Sequence, residues 1–230
     1  MELNGIKVIA FDADDTLWVN EPYYRKAEEE FCELLKDYMP KETCNRILFD
    51  IEMKNLEVYG YGIKPFALSL IEAAITISDH KIPISVVTTL IDRAKKMLHH
   101  PIELLDGIEQ TLKVLSKKYR LVMATKGDLL DQERKLIKSG LEEYFHHIEI
   151  VSDKTPNNYR KLIRQLDIQP DEFLMIGNSM KSDILPVLDV GAYAFHIPYH
   201  TTWAHEVVHE ETNHDKYIEL NRASELLEYL

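Results

Sequence analysis

The sequence predicts an α/β fold in which a parallel β-sheet carries helices on both faces and is interrupted by one long helical insertion. Three observations support this prediction. Short apolar, β-branched runs recur along the chain, helical patterns separate them, and the alternation stops over residues 18–103. Alternating strands and helices are typical of βαβ units, whose strands are parallel.

The first strand is predicted at residues 6–11, where a short apolar run ends at a cluster of acidic residues. In parallel sheets ligands bind outside the carboxyl ends of the strands, so residues directly after each strand are the candidates for function. Similar runs follow at 121–124, 148–151, 173–176 and 192–197, and helical patterns lie at 106–118, 129–139, 157–167 and 180–189.

The insertion reads as helical, with one ambiguous segment. Residues 84–91 (ISVVTTLI) are apolar and β-branched, so periodicity alone does not separate strand from helix there. We predict a core formed by residues 1–17 and 104–230 and a helical cap at 18–103. The helices of the cap are predicted at 22–38, 41–58, 65–79 and 92–100.

The composition excludes several classes of protein. The 230 residues are 45% hydrophobic and 29% charged, as in soluble globular proteins. No apolar run approaches the roughly 18–20 residues of a membrane helix, and the early Glu argues against a signal peptide. The two cysteines form no CxxC pattern, which favours a reducing, cytoplasmic compartment. A net charge of −12 argues against nucleic acid or an anionic membrane as partner.

The first candidate site follows the first strand directly, at Asp12-Ala13-Asp14-Asp15-Thr16. Residues two apart in an extended segment face the same way, so Asp12 and Asp14 can converge while Asp15 points elsewhere. Two close carboxylates repel each other, and a bound Mg²⁺ would relieve the repulsion. Taken alone, the segment is explained equally well as a polar turn.

Three later strand ends also carry polar side chains. Thr125 is followed by Lys126, and a hydroxyl with neighbouring amides can hold phosphoryl oxygens, although Thr125 is equally plausible as a helix N-cap. Lys154 would balance the acidic residues and a transferring group, although most lysines are simply solvated. Asn178 and Asp183 add two oxygen-bearing side chains near the start of a helix.

With these four motifs in order, the chain resembles the haloacid dehalogenase-like hydrolase superfamily. The matching residues are DADDT (12–16), Thr125, Lys154 and GNSMKSD (177–183), and the helical insertion lies between the first and second motifs. The resemblance implies a Rossmann-like core, a Mg²⁺ cofactor and phosphoryl transfer through an aspartyl phosphate.

The resemblance also implies a role for each residue. Asp12 would be the nucleophile, and Asp14 the general acid/base and a metal ligand through its backbone carbonyl. Thr125 and Lys154 would hold the phosphoryl group, and Lys126, next to Thr125, is a further candidate for binding it. The candidate metal ligands are Asp12, Asp14, Asn178 and Asp183; many members have Asp at the position of Asn178, so the direct ligand in this motif stays open between Asn178 and Asp183.

We therefore predict a Mg²⁺-dependent phosphatase of a small phosphorylated metabolite. A phosphomutase of the same superfamily is the alternative, because it differs mainly in what attacks the phosphoenzyme. A dehalogenase is disfavoured, since halide displacement needs no acid at the position of Asp14. A non-catalytic binding relative would be expected to lack Asp12 or Lys154, and both are present.

A competing motif occurs at His205-Glu206-Val207-Val208-His209, which spells the HExxH pattern of zinc proteases. Helical spacing would place both histidines on one face, as zinc requires. The following residues lack the Gly and the spacing of the extended three-histidine motif. We therefore favour adventitious metal binding over a protease site.

Overall fold

The computed structural model describes residues 3, 5–208 and 212–230, and the chain forms two compact units. The first unit contains the chain up to Glu21, Ile102–Lys126 and the residues from Gln132 onward. The second contains Pro22–Pro101 and Gly127–Asp131. The division into a core at 1–17 and 104–230 and a cap at 18–103 stays a prediction.

The first unit is built on a parallel sheet of six strands, which confirms the predicted α/β class. The strands are β1 (Val8–Phe11), β2 (Arg120–Lys126), β3 (His147–Val151), β4 (Phe173–Gly177), β5 (Tyr193–His196) and β6 (Tyr217–Glu219). Their order in the sheet is β3-β2-β1-β4-β5-β6. The strand β1 is therefore central, and Phe11 is in register with Met123 of β2 and Ile176 of β4. The residues that follow β1 consequently lie between the ends of two neighbouring strands.

Apolar side chains cover both faces of this sheet. Ile9 and Phe11 of β1 belong to one hydrophobic cluster, and Val8 and Ala10 belong to another, because successive residues of a strand point to opposite faces. All four are fully buried. Four helices accompany the strands, namely α5 (Ile108–Leu115), α6 (Leu129–Ser139), α7 (Pro156–Gln165) and α8 (Leu185–Asp189).

The second unit is helical and has its own hydrophobic cluster. Phe31, Leu48, Leu70 and Leu90, one from each helix, are buried in it. The helices are α1 (Glu21–Leu34), α2 (Lys41–Tyr59), α3 (Ile63–Ile77) and α4 (Ile84–Leu98). None of the helices in the described part of the chain is long and apolar enough to cross a membrane.

The predicted elements differ from the observed ones at a few places. The ambiguous segment 84–91 forms the first half of α4. The helix predicted at 180–189 is a π-helical turn at Met180–Ile184 followed by the short α8. The strand β6 had no counterpart in the sequence analysis, and the helix predicted at 22–38 ends at Leu34.

Candidate active site

The loop after β1 starts at the carboxyl edge of the sheet. The backbone N–H of Asp12 donates to the Ile176 carbonyl at 2.8 Å, which fixes the start of the loop against β4. A turn follows immediately, in which the N–H of Leu17 donates to the Ala13 carbonyl at 2.8 Å. The loop therefore holds Asp12 at a defined position while the chain reverses direction.

Asp12 forms a buried cluster with one lysine and a second carboxylate. Lys154 Nζ donates to Asp12 Oδ1 at 2.5 Å and to Asp183 Oδ1 at 2.6 Å, and all three side chains are buried. Burial raises the pKa of Asp12, Lys154 lowers it and Asp183 raises it again, with a net upward shift. Burial lowers the pKa of Lys154, but the two carboxylates together raise it, so the ammonium stays charged.

The carboxylate of Asp183 packs directly against the backbone of Gly177, which is possible because Gly177 has no side chain. A Cβ added at Gly177 would lie 2.2 Å from Asp183 Oδ2, far inside van der Waals contact. The same Asp183 oxygen accepts the backbone N–H of Ser179 at 3.0 Å. Both oxygens of Asp183 are thus oriented, one by the backbone and one by Lys154.

Asn178 lies beside Asp12 through a shared hydroxyl. Thr16 Oγ1 lies 3.2 Å from Asp12 Oδ2 and 3.3 Å from Asn178 Oδ1. A hydroxyl has one proton, so it cannot fully satisfy two acceptor oxygens at once. On the other side, His196 Nε2 lies 2.9 Å from the Asn178 carbonyl oxygen. These contacts place two oxygen acceptors side by side at the end of the sheet.

Asp14 has a set of hydrogen-bond partners different from those of Asp12. Asp14 Oδ1 accepts from Trp18 Nε1 at 2.7 Å and Lys135 Nζ at 2.8 Å, and Oδ2 accepts from Gln132 Nε2 at 2.8 Å. Burial alone would raise the pKa of Asp14, but Lys135 and the hydrogen bonds from Gln132 and Trp18 lower it. Asp14 is therefore held as a carboxylate in this arrangement.

Asp15 points away from both clusters. Its carboxylate accepts the backbone N–H of Asn20 at 2.8 Å and that of Glu21 at 2.9 Å. Burial raises the pKa of Asp15 to about 7, although these two hydrogen bonds oppose the shift. Its φ of 60° lies in the left-handed region that Asp tolerates better than most residues.

The end of β2 carries the second motif. Thr125 is buried, and its hydroxyl donates to the Lys126 carbonyl at 3.2 Å. Lys126 Nζ donates to Ser182 Oγ at 2.9 Å and to Glu206 Oε1 at 2.6 Å. Since β2 pairs with β1, Thr125 and Asp12 leave neighbouring strands at the same edge of the sheet.

The HExxH segment forms no helix over its described residues. Ala204–Glu206 is a single 3-10 turn, Val207 is extended, and His209 lies outside the described residues. The motif's Glu206 bonds to Lys126 and to two serines of the loop after β4. It therefore belongs to the polar network of the strand ends, where sequence reasoning did not place it.

The oxygen donors at the site suit Mg²⁺. Within the described residues, no three His, Cys, Asp or Glu side chains form a metal-binding group. Mg²⁺ does not require such a group, because one or two carboxylates, amide or carbonyl oxygens, water and substrate phosphate suffice. Asp12, Asn178 and the Asp14 carbonyl offer that kind of donor set, and the neighbouring oxygens of Asp12 and Asn178 share one hydroxyl proton.

The sequence analysis missed several residues of the two clusters. Glu206 and Lys135 reach the site from segments that carry no recognisable motif for this chemistry. Gln132 likewise gains its role only through tertiary contact with Asp14, whereas Trp18 contacts Asp14 from four residues further along the same loop. Helical spacing could have placed Gln132 and Lys135 on one face of α6, but not that face on Asp14.

Comparison with known proteins places this geometry in a family. The model of the haloacid dehalogenase-like hydrolases matches residues 6–191. A haloacid dehalogenase-like family hydrolase from Xanthomonas campestris has 34% identity, a TM-score of 0.87, and a match covering 96% of this chain and 88% of that one.

Two curated relatives are phosphatases. N-acylneuraminate-9-phosphatase of Rattus norvegicus is 23% identical, with 84% of this chain and 83% of that protein covered. Glyceraldehyde 3-phosphate phosphatase of Pyrococcus furiosus is 29% identical over 91 residues, which cover 37% of this chain and only 38% of that protein. The family match spans most of the chain and includes all four strand ends, and this chain belongs to the haloacid dehalogenase-like hydrolases.

Proposed function

We propose that this hydrolase is a Mg²⁺-dependent phosphatase that removes the phosphoryl group from a small phosphorylated metabolite through an aspartyl phosphate on Asp12. The observation that carries the proposal is the pairing of Asp12 with the buried Lys154 ammonium, with a second carboxylate, Asp14, two residues further along. The names of both curated relatives, which act on a phosphorylated sugar acid and a phosphorylated triose, support a phosphate monoester as substrate.

In the first half-reaction, an oxygen of Asp12 would form a bond to phosphorus as the bond from phosphorus to the alcohol oxygen breaks. A carboxylate is a poor nucleophile toward a phosphate dianion because like charges repel. Lys154 stays cationic and reduces that repulsion from within the buried cluster. Bound Mg²⁺ would supply further charge neutralisation and orient the phosphoryl group, held by Asp12, Asn178 and the Asp14 carbonyl.

Asp14 would move the protons in both half-reactions. The leaving alcohol needs a proton in the first, and the water that hydrolyses the phosphoenzyme must lose one in the second. Held by Lys135, Asp14 is ionised and suited to accept a proton. To donate a proton to the leaving alcohol, Asp14 must first take one up; away from the Lys135 ammonium, burial raises its pKa and favours this protonated form.

The helical insertion would act as a cap that excludes bulk water and contacts the rest of the substrate. The candidates for that contact are aromatic residues of the insertion, namely Tyr23, Tyr24 and those of the segment 59–62 (YGYG). Tyr24 packs against Phe66 with ring centroids 5.0 Å apart, which favours a role in the interior of the helical unit for this residue. Tyr23 and the segment 59–62 stay candidates for substrate contact.

A screen of phosphorylated metabolites tests the proposal. Wild-type protein with Mg²⁺ is expected to release inorganic phosphate from at least one small monoester, to stop when EDTA is added, and to resume with excess Mg²⁺. The Asp12→Asn variant is the matched control for contaminating phosphatases. Equal phosphate release by wild type and Asp12→Asn, or release unaffected by EDTA, would contradict the proposal.

A further inference from the structure

Glu206 lies outside all four motifs, yet its carboxylate joins side chains from two strand ends. Oε1 accepts from Lys126 Nζ at 2.6 Å, and Oε2 accepts from Ser182 Oγ at 2.5 Å and Ser179 Oγ at 2.6 Å. We propose that Glu206 is a positioning residue that fixes the Lys126 ammonium for the phosphoryl group and couples it to the loop after β4. This inference rests on the proposed phosphatase function.

The pair of Lys126 and Glu206 is shielded from water. Their side chains are only 14% and 13% exposed, whereas those of the surface pair Arg160 and Asp189 are 49% and 61% exposed. Burial raises the pKa of Glu206, but Lys126 and the serine hydroxyls outweigh it and lower the pKa to about 2. Glu206 is therefore an anion at any physiological pH, and the shielded attraction is stronger than that of a surface pair.

Fixing Lys126 matters because a lysine side chain is long and flexible. An unrestrained lysine must lose much of its rotamer freedom when it binds a ligand. In this structure Lys126 Nζ already contacts both Glu206 and Ser182, so that ordering occurs during folding. An ammonium that is ordered beforehand binds a phosphoryl oxygen with a smaller entropic cost.

The contacts of Glu206 continue to the buried cluster of the nucleophile. Ser179 Oγ accepts the N–H of Ser182 at 3.0 Å, and the N–H of Ser179 donates to Asp183 Oδ2 at 3.0 Å. Asp183 in turn orients Lys154. One connected set of hydrogen bonds therefore orders both lysines that would face the phosphoryl group.

The backbone around Glu206 has anchors that do not involve its side chain. Lys181 Nζ donates to the His205 carbonyl at 2.8 Å, and the N–H of Glu206 donates to the Trp203 carbonyl at 2.9 Å. Truncating Glu206 should therefore leave this segment in place. Its effect can then be assigned to Lys126 and the two serines.

A double-mutant cycle tests the proposal, using Glu206→Ala, Lys126→Met and the double variant. The probes are hydrolysis of p-nitrophenyl phosphate and calorimetric binding of orthophosphate, both with Mg²⁺. Glu206→Ala is expected to raise KM and the orthophosphate Kd by about 10- to 100-fold, the usual range for losing a hydrogen bond to a charged group. In the Lys126→Met background the same truncation should have a clearly smaller effect on both constants, because only the contacts to Ser179 and Ser182 remain to be lost.

Two further variants separate positioning from a loss of stability. Glu206→Gln keeps the shape and part of the hydrogen bonding, so its KM should fall between wild type and Glu206→Ala. Asp189→Asn removes the exposed pair with Arg160 and should leave KM, Kd and the thermal midpoint unchanged. A Glu206→Gln variant with wild-type KM and Kd, or a full effect of Glu206→Ala when Lys126 is absent, would overturn the proposal.

The same measurements distinguish failure of this inference from failure of the proposed function. A wild-type protein that binds orthophosphate but hydrolyses no monoester would contradict the phosphatase proposal, while the cycle would still be decided by the orthophosphate Kd. A wild-type protein that binds no orthophosphate would overturn the role of Glu206, because Lys126 would then hold no phosphoryl group.

Discussion

The loop after β1 carries two carboxylates, only two residues apart, that have different partners and opposite pKa shifts. Asp12 is buried against Lys154 and Asp183, and its pKa is shifted upward. Asp14 accepts three hydrogen bonds, among them one from Lys135, and its pKa is shifted downward. Two chemically identical side chains on one short loop thus have different pKa values because their neighbours differ.

This difference shows how one loop can supply two chemical roles. Burial against a shared lysine holds Asp12 at a defined position, as an attacking group requires. A partly exposed carboxylate with a detachable lysine partner suits Asp14 for exchanging protons. The roles of Asp12 and Asp14 in catalysis stay predictions. Four experiments test whether the two carboxylates have these different roles.

The largest effect is expected for Asp12→Asn. An amide cannot form the acyl phosphate, so turnover of any phosphate monoester should be abolished at saturating Mg²⁺. Phosphate release measures the effect, and circular dichroism confirms that the fold is retained. Activity within about tenfold of wild type would exclude Asp12 as the nucleophile.

Asp14→Asn should have the next largest effect. Loss of general acid–base catalysis typically lowers a rate by about 10²–10⁴-fold. Binding of Mg²⁺, measured by calorimetry, should persist because the ligand at this position would be a backbone carbonyl. An unchanged rate would remove the proposed division of roles between the two carboxylates.

Two variants, Asn178→Asp and Asp183→Asn, test which of the two residues near Asp12 would bind Mg²⁺ directly. The oxygens of Asp183 already bind Lys154 and a backbone N–H, whereas Asn178 Oδ1 lies beside Asp12 Oδ2 at a shared hydroxyl. An added charge at residue 178 should therefore tighten Mg²⁺ binding by about tenfold, with activity retained. If titration calorimetry instead shows the larger change in Mg²⁺ affinity for Asp183→Asn, Asp183 is the direct ligand.

The smallest effect is expected for Lys135→Met, which tests whether Lys135 controls the pKa of Asp14. Lys135 lowers the pKa of Asp14, so removing it should raise that pKa. Since Asp14 would donate a proton in the first half-reaction, which kcat/KM reports, the alkaline limb of the pH profile of kcat/KM should move to higher pH. Lys138→Met, an exposed lysine on the same helix, should leave the limb unmoved. An unshifted limb in Lys135→Met would show that Lys135 does not control Asp14 during turnover.

The sequence predicted most of the core fold because its strands are short, apolar and separated by helical patterns. It missed β6, whose three residues are two half-buried ones and an exposed Glu219 and therefore form no hydrophobic run. Segment 84–91 stayed ambiguous because β-branched residues such as Ile84, which is 79% exposed, favour strands by local propensity. The segment is helical in the structure, where Leu90 and Ala94 are buried on one face of α4.

The residues of the site also fall into those that the sequence predicts and those that it does not. Residues directly after strands were found because the rule for parallel sheets points to them, and Asp12, Lys154 and Asp183 do lie in contact. Glu206 and Lys135 could not be found, because only tertiary packing brings them to Lys126 and Asp14. Lys135 carries no local pattern, and the HExxH pattern around Glu206 predicts zinc binding rather than a contact with Lys126.

The central position of β1 has a consequence for how the protein is made. Asp12 and its partner Lys154 are 142 residues apart in the chain, and within the described residues β1 pairs with strands that begin at Arg120 and Phe173. Contacts at such sequence separation form slowly, whereas contacts between successive helices of the insertion are available early. During synthesis β1 must therefore stay unpaired and apolar until β2, at Arg120–Lys126, has left the ribosome. We expect that interval to be the period in which the nascent protein depends most on chaperones.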